Sequence, residues 1–154
     1  MSHVRPPATA RGTLVRIGVT CACATAFVGL TPSRRLEIVA GGRVLWSAAA
    51  AEGQRFDLRF EHSQERTPFI QHYVVGVAGV IEQDSVSFGS YGAGMPLEPA
   101  VLDDHLLTAR VRRRLRNVRM LASRSAHLRI VFRDAEVAID QWLDDYEPFE
   151  LRLR

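Results

Sequence analysis

Residues 56–96, FDLRFEHSQERTPFIQHYVVGVAGVIEQDSVSFGSYGAGMP, decide the fold. Phe56, Leu58, Phe60 and His62 alternate with Asp57, Arg59, Glu61 and Ser63, so an extended chain places the first set on one face and the second set on the other. Such a strand has a core side and a wet side. A polar segment, Gln64 to Pro68, separates it from a second apolar run, Phe69 to Val77, and a third run spans Val80 to Phe88. That third run stops at Gly89-Ser90-Tyr91-Gly92-Ala93-Gly94-Met95-Pro96, where three glycines and a proline exclude regular structure. Three strands, a charged turn and a glycine-rich loop follow, and a functional site is expected at the turn and the loop.

The same punctuation continues outward in both directions. Leu36, Ile38 and Ala40 alternate up to Gly41-Gly42, a tight hairpin signal, and Arg43 to Ser47 returns. Ala48 to Gln54 reads as a loop or a single helical turn. On the far side, Ala126 to Phe132, Glu136 to Ile139 and Phe149 to Arg154 alternate again. The expected fold class is therefore all-β, an antiparallel sandwich or partly closed barrel of about eight short strands. At most one short helix is expected, at roughly Pro99 to Leu107, with Asp103 and Asp104 on one side and Val101, Leu102, Leu106 and Leu107 on the other. LEIVAGGRVLW followed by RFDLRF matches LRIVFRDAEVAI followed by PFELRL, with Leu36 against Leu128, Ile38 against Ile130, Phe56 against Phe149 and Leu58 against Leu151. The match is either a duplicated three-strand unit or the shared grammar of half-buried strands.

At 154 residues and 47% apolar content the chain suits one domain with one core, assigned to residues 31–154. Residues 1–30 have the parts of an export signal or membrane anchor: Arg5, Arg11 and Arg16, then an uncharged run over residues 17–30 with small residues at Ala24-Thr25-Ala26. That run is short for a spanning helix, which needs about 20 residues, so a cleaved signal is the expectation and membrane association through residues 17–30 the alternative. Cleavage after Ala26 removes three arginines and takes the formal charge from +3 to zero, which weakens a global-charge argument for nucleic acid. It also removes Cys21 and Cys23, leaving no disulfide; a lone C-x-C is a weak metal signal.

A strand ending in His62-Ser63, Pro68 six residues after the histidine, Gln71 three further on, then Ser87-Phe88-Gly89 and Gly92-Ala93-Gly94-Met95-Pro96, resembles the domain of unknown function 1850 family of small bacterial proteins. The resemblance implies an envelope protein connected with solute uptake, since such proteins are often encoded beside tripartite ATP-independent periplasmic (TRAP) transporters of the TAXI type. It brings no biochemical activity. Where the family often has a glutamate, this chain has Gln71, so a role requiring a carboxylate there does not carry over. The binding residues it singles out are His62, Ser63, Pro68, Gln71, Ser87, Phe88, Gly89, Gly92, Gly94 and Pro96.

Function follows as three competing expectations. The first is an exported or tethered noncatalytic β-domain, an accessory of a TRAP permease or its solute-binding protein, without cofactor or metal. The second is a small envelope hydrolase centred on His62 and Ser63. Neighbouring residues of a strand face opposite ways, so this pair works as base and nucleophile only across a bulge, and the chain has no G-x-S-x-G elbow. The third is nucleic-acid binding through Arg110 to Arg119, six arginines in ten residues. That cluster lacks the interleaved aromatics of a single-strand binder, and a solvated face explains it as well.

Overall fold

The computed structural model describes residues 34–92 and 99–154. The expected signal segment, Cys21, Cys23, Gly94 and Pro96 lie outside the described residues. The fold is an all-β sandwich of two antiparallel sheets that do not close into a barrel. Its strands are β1 (Arg34–Ala40), β2 (Arg43–Ala50), β3 (Arg55–Glu61), β4 (Pro68–Val75), β5 (Ile81–Phe88), β6 (Ala100–Asp103), β7 (Leu106–Leu115), β8 (Asn117–Leu121), β9 (Arg129–Phe132), β10 (Ala135–Ala138) and β11 (Pro148–Leu153). A four-stranded sheet runs β2-β1-β11-β8, and a seven-stranded sheet runs β10-β9-β3-β4-β5-β7-β6.

Two sequence expectations are corrected. Ala48 to Ala50 belong to β2 and form no helical turn, because their backbone pairs with Arg34 to Leu36 of β1. Residues 99–107 likewise form no helix. Val101 and Leu102 lie in β6, and Leu107, the second residue of β7, lies opposite Phe88. The chain reverses at Asp104 and His105, which adopt left-handed φ of 41° and 68°, the pairing that a two-residue hairpin turn with the right twist requires. Two aspartates flanked by leucines satisfy a helical stripe and a hairpin equally, and pairing to β5 decides between them. The three strands beyond the expected eight, β6, β7 and β8, all fall in this segment and the arginine run that follows it.

Between the sheets, Leu36, Ile38, Ala40, Phe149 and Leu151 of the small sheet meet Phe56, Leu58, Tyr73, Ile130 and Phe132 of the large one. Each fully buried Leu or Ile contributes about 1.5–3 kcal/mol. A second apolar cluster, Phe69, Val86, Phe88 and Ala109 with Phe60, Leu107 and Val111 against it, comes from the large sheet alone. It underlies the end of the sheet where β3 turns into β4 and β5 runs out.

The two hairpin-plus-strand units seen in the sequence exchange their third strands. β11 joins the β1–β2 hairpin and β3 joins the β9–β10 hairpin. The registers agree: Ile38 faces Leu151 and Ala40 faces Phe149, while Ile130 faces Leu58 and Phe132 faces Phe56. Aligned residues of the two units thus occupy equivalent places in two interlocked halves. The two units are related by a structural pseudo-symmetry of strand order and register.

Candidate functional site

The β3–β4 connection, residues 62–67, is closed by the pairing of His62 with Thr67 around four residues. The His62 amide donates to the Thr67 carbonyl at 2.9 Å, and the Arg66 amide donates to the His62 carbonyl at 2.8 Å with Arg66 in the left-handed region at φ 54°. The Glu65 amide reaches the His62 ring at Nδ1, 3.4 Å away. Accepting that bond commits the Nδ1 lone pair, which leaves the proton of a neutral imidazole on Nε2. The ring therefore presents no acceptor to Ser63, and Ser63, exposed, makes no side-chain hydrogen bond among the described residues. The sequence pair His62 and Ser63 is adjacent but not coupled.

What the loop does is lock against the end of β5. A Cβ on Gly89 would sit 2.7 Å from the Thr67 Cβ, and a Cβ on Gly92 would run into the Glu65 carboxylate. Ser90 Oγ donates weakly to Glu65 at 3.5 Å. Tyr91 folds edge-on over Phe88 at 5.3 Å, and an aromatic row continues from Phe88 through Phe69 to Phe60, with centroids 6.3 and 5.0 Å apart. His62 stands beside Phe69 at 6.1 Å. Of the ten residues singled out in the sequence, His62, Ser63, Pro68, Phe88, Gly89 and Gly92 are thus gathered in one corner. Gln71 is elsewhere: it lies mid-strand between Leu58 and Val86 and accepts the Tyr73 hydroxyl at 2.9 Å. Burial pushes the ionisation of that phenol well up from its ordinary value.

Ser87 belongs to a second arrangement on the other face of the sheet, which the sequence reading missed. His72 Nδ1 lies 2.8 Å from Asp57 Oδ1, His72 Nε2 lies 2.8 Å from Ser87 Oγ, and Ser87 Oγ lies 2.8 Å from Thr108 Oγ1. Arg59 Nη2 donates to the other Asp57 oxygen at 2.9 Å. The chain crosses four neighbouring strands, β3, β4, β5 and β7. Burial pushes the Asp57 carboxyl up, but the hydrogen bonds and charges of His72 and Arg59 outweigh it and hold it below the usual carboxylate range. An ionised Asp57 only accepts, so His72 donates from Nδ1, a neutral ring accepts from the Ser87 hydroxyl at Nε2, and Thr108 donates to Ser87. The signal was present in the sequence: closing the turn between His62 and Thr67 sets Asp57 opposite His72.

His62 and His72 lie on opposite faces, and among the described residues no group of three or more His, Cys, Asp or Glu is placed to hold a metal ion. The arginine run is divided between the sheets, Arg110 to Arg114 in β7 and Arg119 in β8, and Arg114 and Arg119 pair with Glu82 and Glu150 at 3.2 and 3.5 Å. No described helix is long and apolar enough to cross a membrane.

Fold and corner together define a two-sheet β-domain whose signature residues interlock two turns at one end of the larger sheet. The family described as domain of unknown function (DUF1850) matches residues 56–139, more than half of the chain, and the protein belongs to that family. The matched span holds the whole seven-stranded sheet apart from Arg55, and only β8 of the four-stranded one. Searches of curated proteins and of solved structures returned no match.

Proposed function

We propose that the protein is an exported or membrane-tethered accessory β-domain that binds a component of a TRAP-type solute uptake system, the permease or its solute-binding protein. Family membership and the uncharged run at residues 17–30 support the setting. The observation that carries the binding role is the use made of the signature residues. Gly89 and Gly92 are spent on close approach to Thr67 and Glu65, and His62 on bracing a turn, so the corner is a shaped surface and not a reaction centre. Its outer residues, Ser63, Gln64, Arg66, Pro68 and Tyr91, are all exposed. A preformed surface of this kind binds without a large ordering cost.

The test is affinity capture from detergent-solubilised envelope of the native host, comparing the wild-type chain with a Tyr91→Ala, Arg66→Glu variant. The expected result is recovery of a permease subunit or solute-binding protein by the wild type, reduced at least tenfold in the variant. Equal recovery of transporter by both, or none by either, would remove the basis for this reading.

A further inference from the structure

The polar chain on the outer face of the large sheet has no part in the corner, and its order is that of an activated serine. Asp57 is fixed through both oxygens, by Arg59 and by His72, so the carboxylate and the ring hold one another in a single orientation. His72 in turn offers Nε2 to a hydroxyl at 2.8 Å. Orientation of the base by a carboxylate, here the half-buried Asp57, and contact of the base with the nucleophile are the two geometric requirements for serine nucleophilicity. Thr108 satisfies the Ser87 oxygen from its other side without competing for its proton.

We propose that Ser87 is a nucleophile activated by His72 and Asp57, acting on small activated esters. In the forward step the Ser87 Oγ–carbonyl carbon bond forms as His72 Nε2 takes the hydroxyl proton, and the carbonyl π pair moves to its oxygen. Collapse of that adduct expels the alcohol, which leaves with the proton from His72. Water then attacks the acyl-serine with His72 taking its proton; the Ser87 Oγ–acyl bond breaks, the proton returns to Ser87, and a carboxylic acid departs. Two features set the substrate class. Ser87 is only 5% exposed, so the hydroxyl admits a compact acyl group and excludes a branched or polymeric one. Strand amides around Ser87 are engaged in the β4–β5–β7 ladder, so stabilisation of the oxyanion falls to side chains such as Arg110, which shares this face opposite Ser85. That is a weaker device than paired amides, and an activated leaving group is accordingly required. The site stands apart from the uptake reading, since none of its side chains belongs to the corner.

The experiment uses the full chain in detergent with two compact probes, methanesulfonyl fluoride and p-nitrophenyl acetate. Intact-mass and peptide analysis is expected to find one methanesulfonyl group per chain, on Ser87. Ser87→Ala is expected to abolish the adduct, and His72→Ala to slow it at least about a hundredfold, with added imidazole restoring part of the rate. Ser87→Ala should keep the wild-type melting temperature within a few degrees. No adduct on the wild type, an adduct on another residue, or an unchanged rate in His72→Ala would overturn the proposal. Should His72→Ala fail to fold, Asp57→Asn decides: a labelling rate at least tenfold lower supports the relay, and an unchanged one overturns it.

Discussion

Gly89 and Gly92 occupy the same corner but are not equivalent. At Gly89 the obstacle is the Thr67 Cβ, which is anchored to the backbone; at Gly92 it is the end of a glutamate side chain that can rotate away. Gly89→Ala is therefore expected to destabilise by about 1–3 kcal/mol, and Gly92→Ala by well under half of that, as denaturant melts of the two variants would show. Equal effects would mean that the corner is looser than its packing. Asp57 makes a second prediction. Its folded-state pKa is depressed, so the stability it contributes is present above the unfolded value of about 3.9 and is lost as pH falls through the folded value. Asp57→Asn should cost about 1–3 kcal/mol near neutrality, with the difference from wild type shrinking as melts are repeated from about pH 6 down to about pH 3. A difference that does not change with pH would remove the ionic role. At this scale the sequence was legible where one strand was concerned: the alternation holds from Phe56 to Glu61, where β3 ends, while His62 and Ser63 belong to the connection that follows. The partnership of Asp57 with His72 and Ser87 was not legible, because it joins three strands and depends on their registers.

Among the elements, the β6–β7 hairpin shows how register overrides local preference. Asp104 and His105 both pay for left-handed backbone that non-glycine residues adopt reluctantly. Replacing the pair with Asn-Gly should stabilise the domain by about 1 kcal/mol and leave far-UV circular dichroism free of any helical gain. A fall in stability, or new helical signal, would show that residues 99–107 favour the helix that their sequence also permits. The arginine run hid strands for a related reason. β7 keeps a period of two through Leu107, Ala109 and Val111, but then Arg112 adopts φ 50° at a shift in the pairing with β5, and the apolar alternation is lost from the sequence at that bulge. A run of arginines along an exposed strand end leaves no hydrophobic period to read.

For the whole molecule, exchange of third strands makes the two ends of the chain interdependent. β11 sits between β1 and β8, and Phe149 and Leu151 are buried in the common core. Truncation after Glu147 should therefore abolish cooperative unfolding altogether, since both neighbours lose a ladder and the core loses two large side chains. A truncated chain that still melted cooperatively would show that the seven-stranded sheet, which the family match nearly coincides with, folds by itself.

By itself the sequence determined the all-β class, most strand positions, the repeated three-strand grammar and the family, because each rests on alternation or on motifs within a short span. Only the tertiary structure decided which sheet each third strand joins, that His62 braces a turn, and that Asp57, His72, Ser87 and Thr108 form one chain. Those outcomes depend on register between strands far apart in sequence, and register is set by turn closure and burial acting together, not by any one segment.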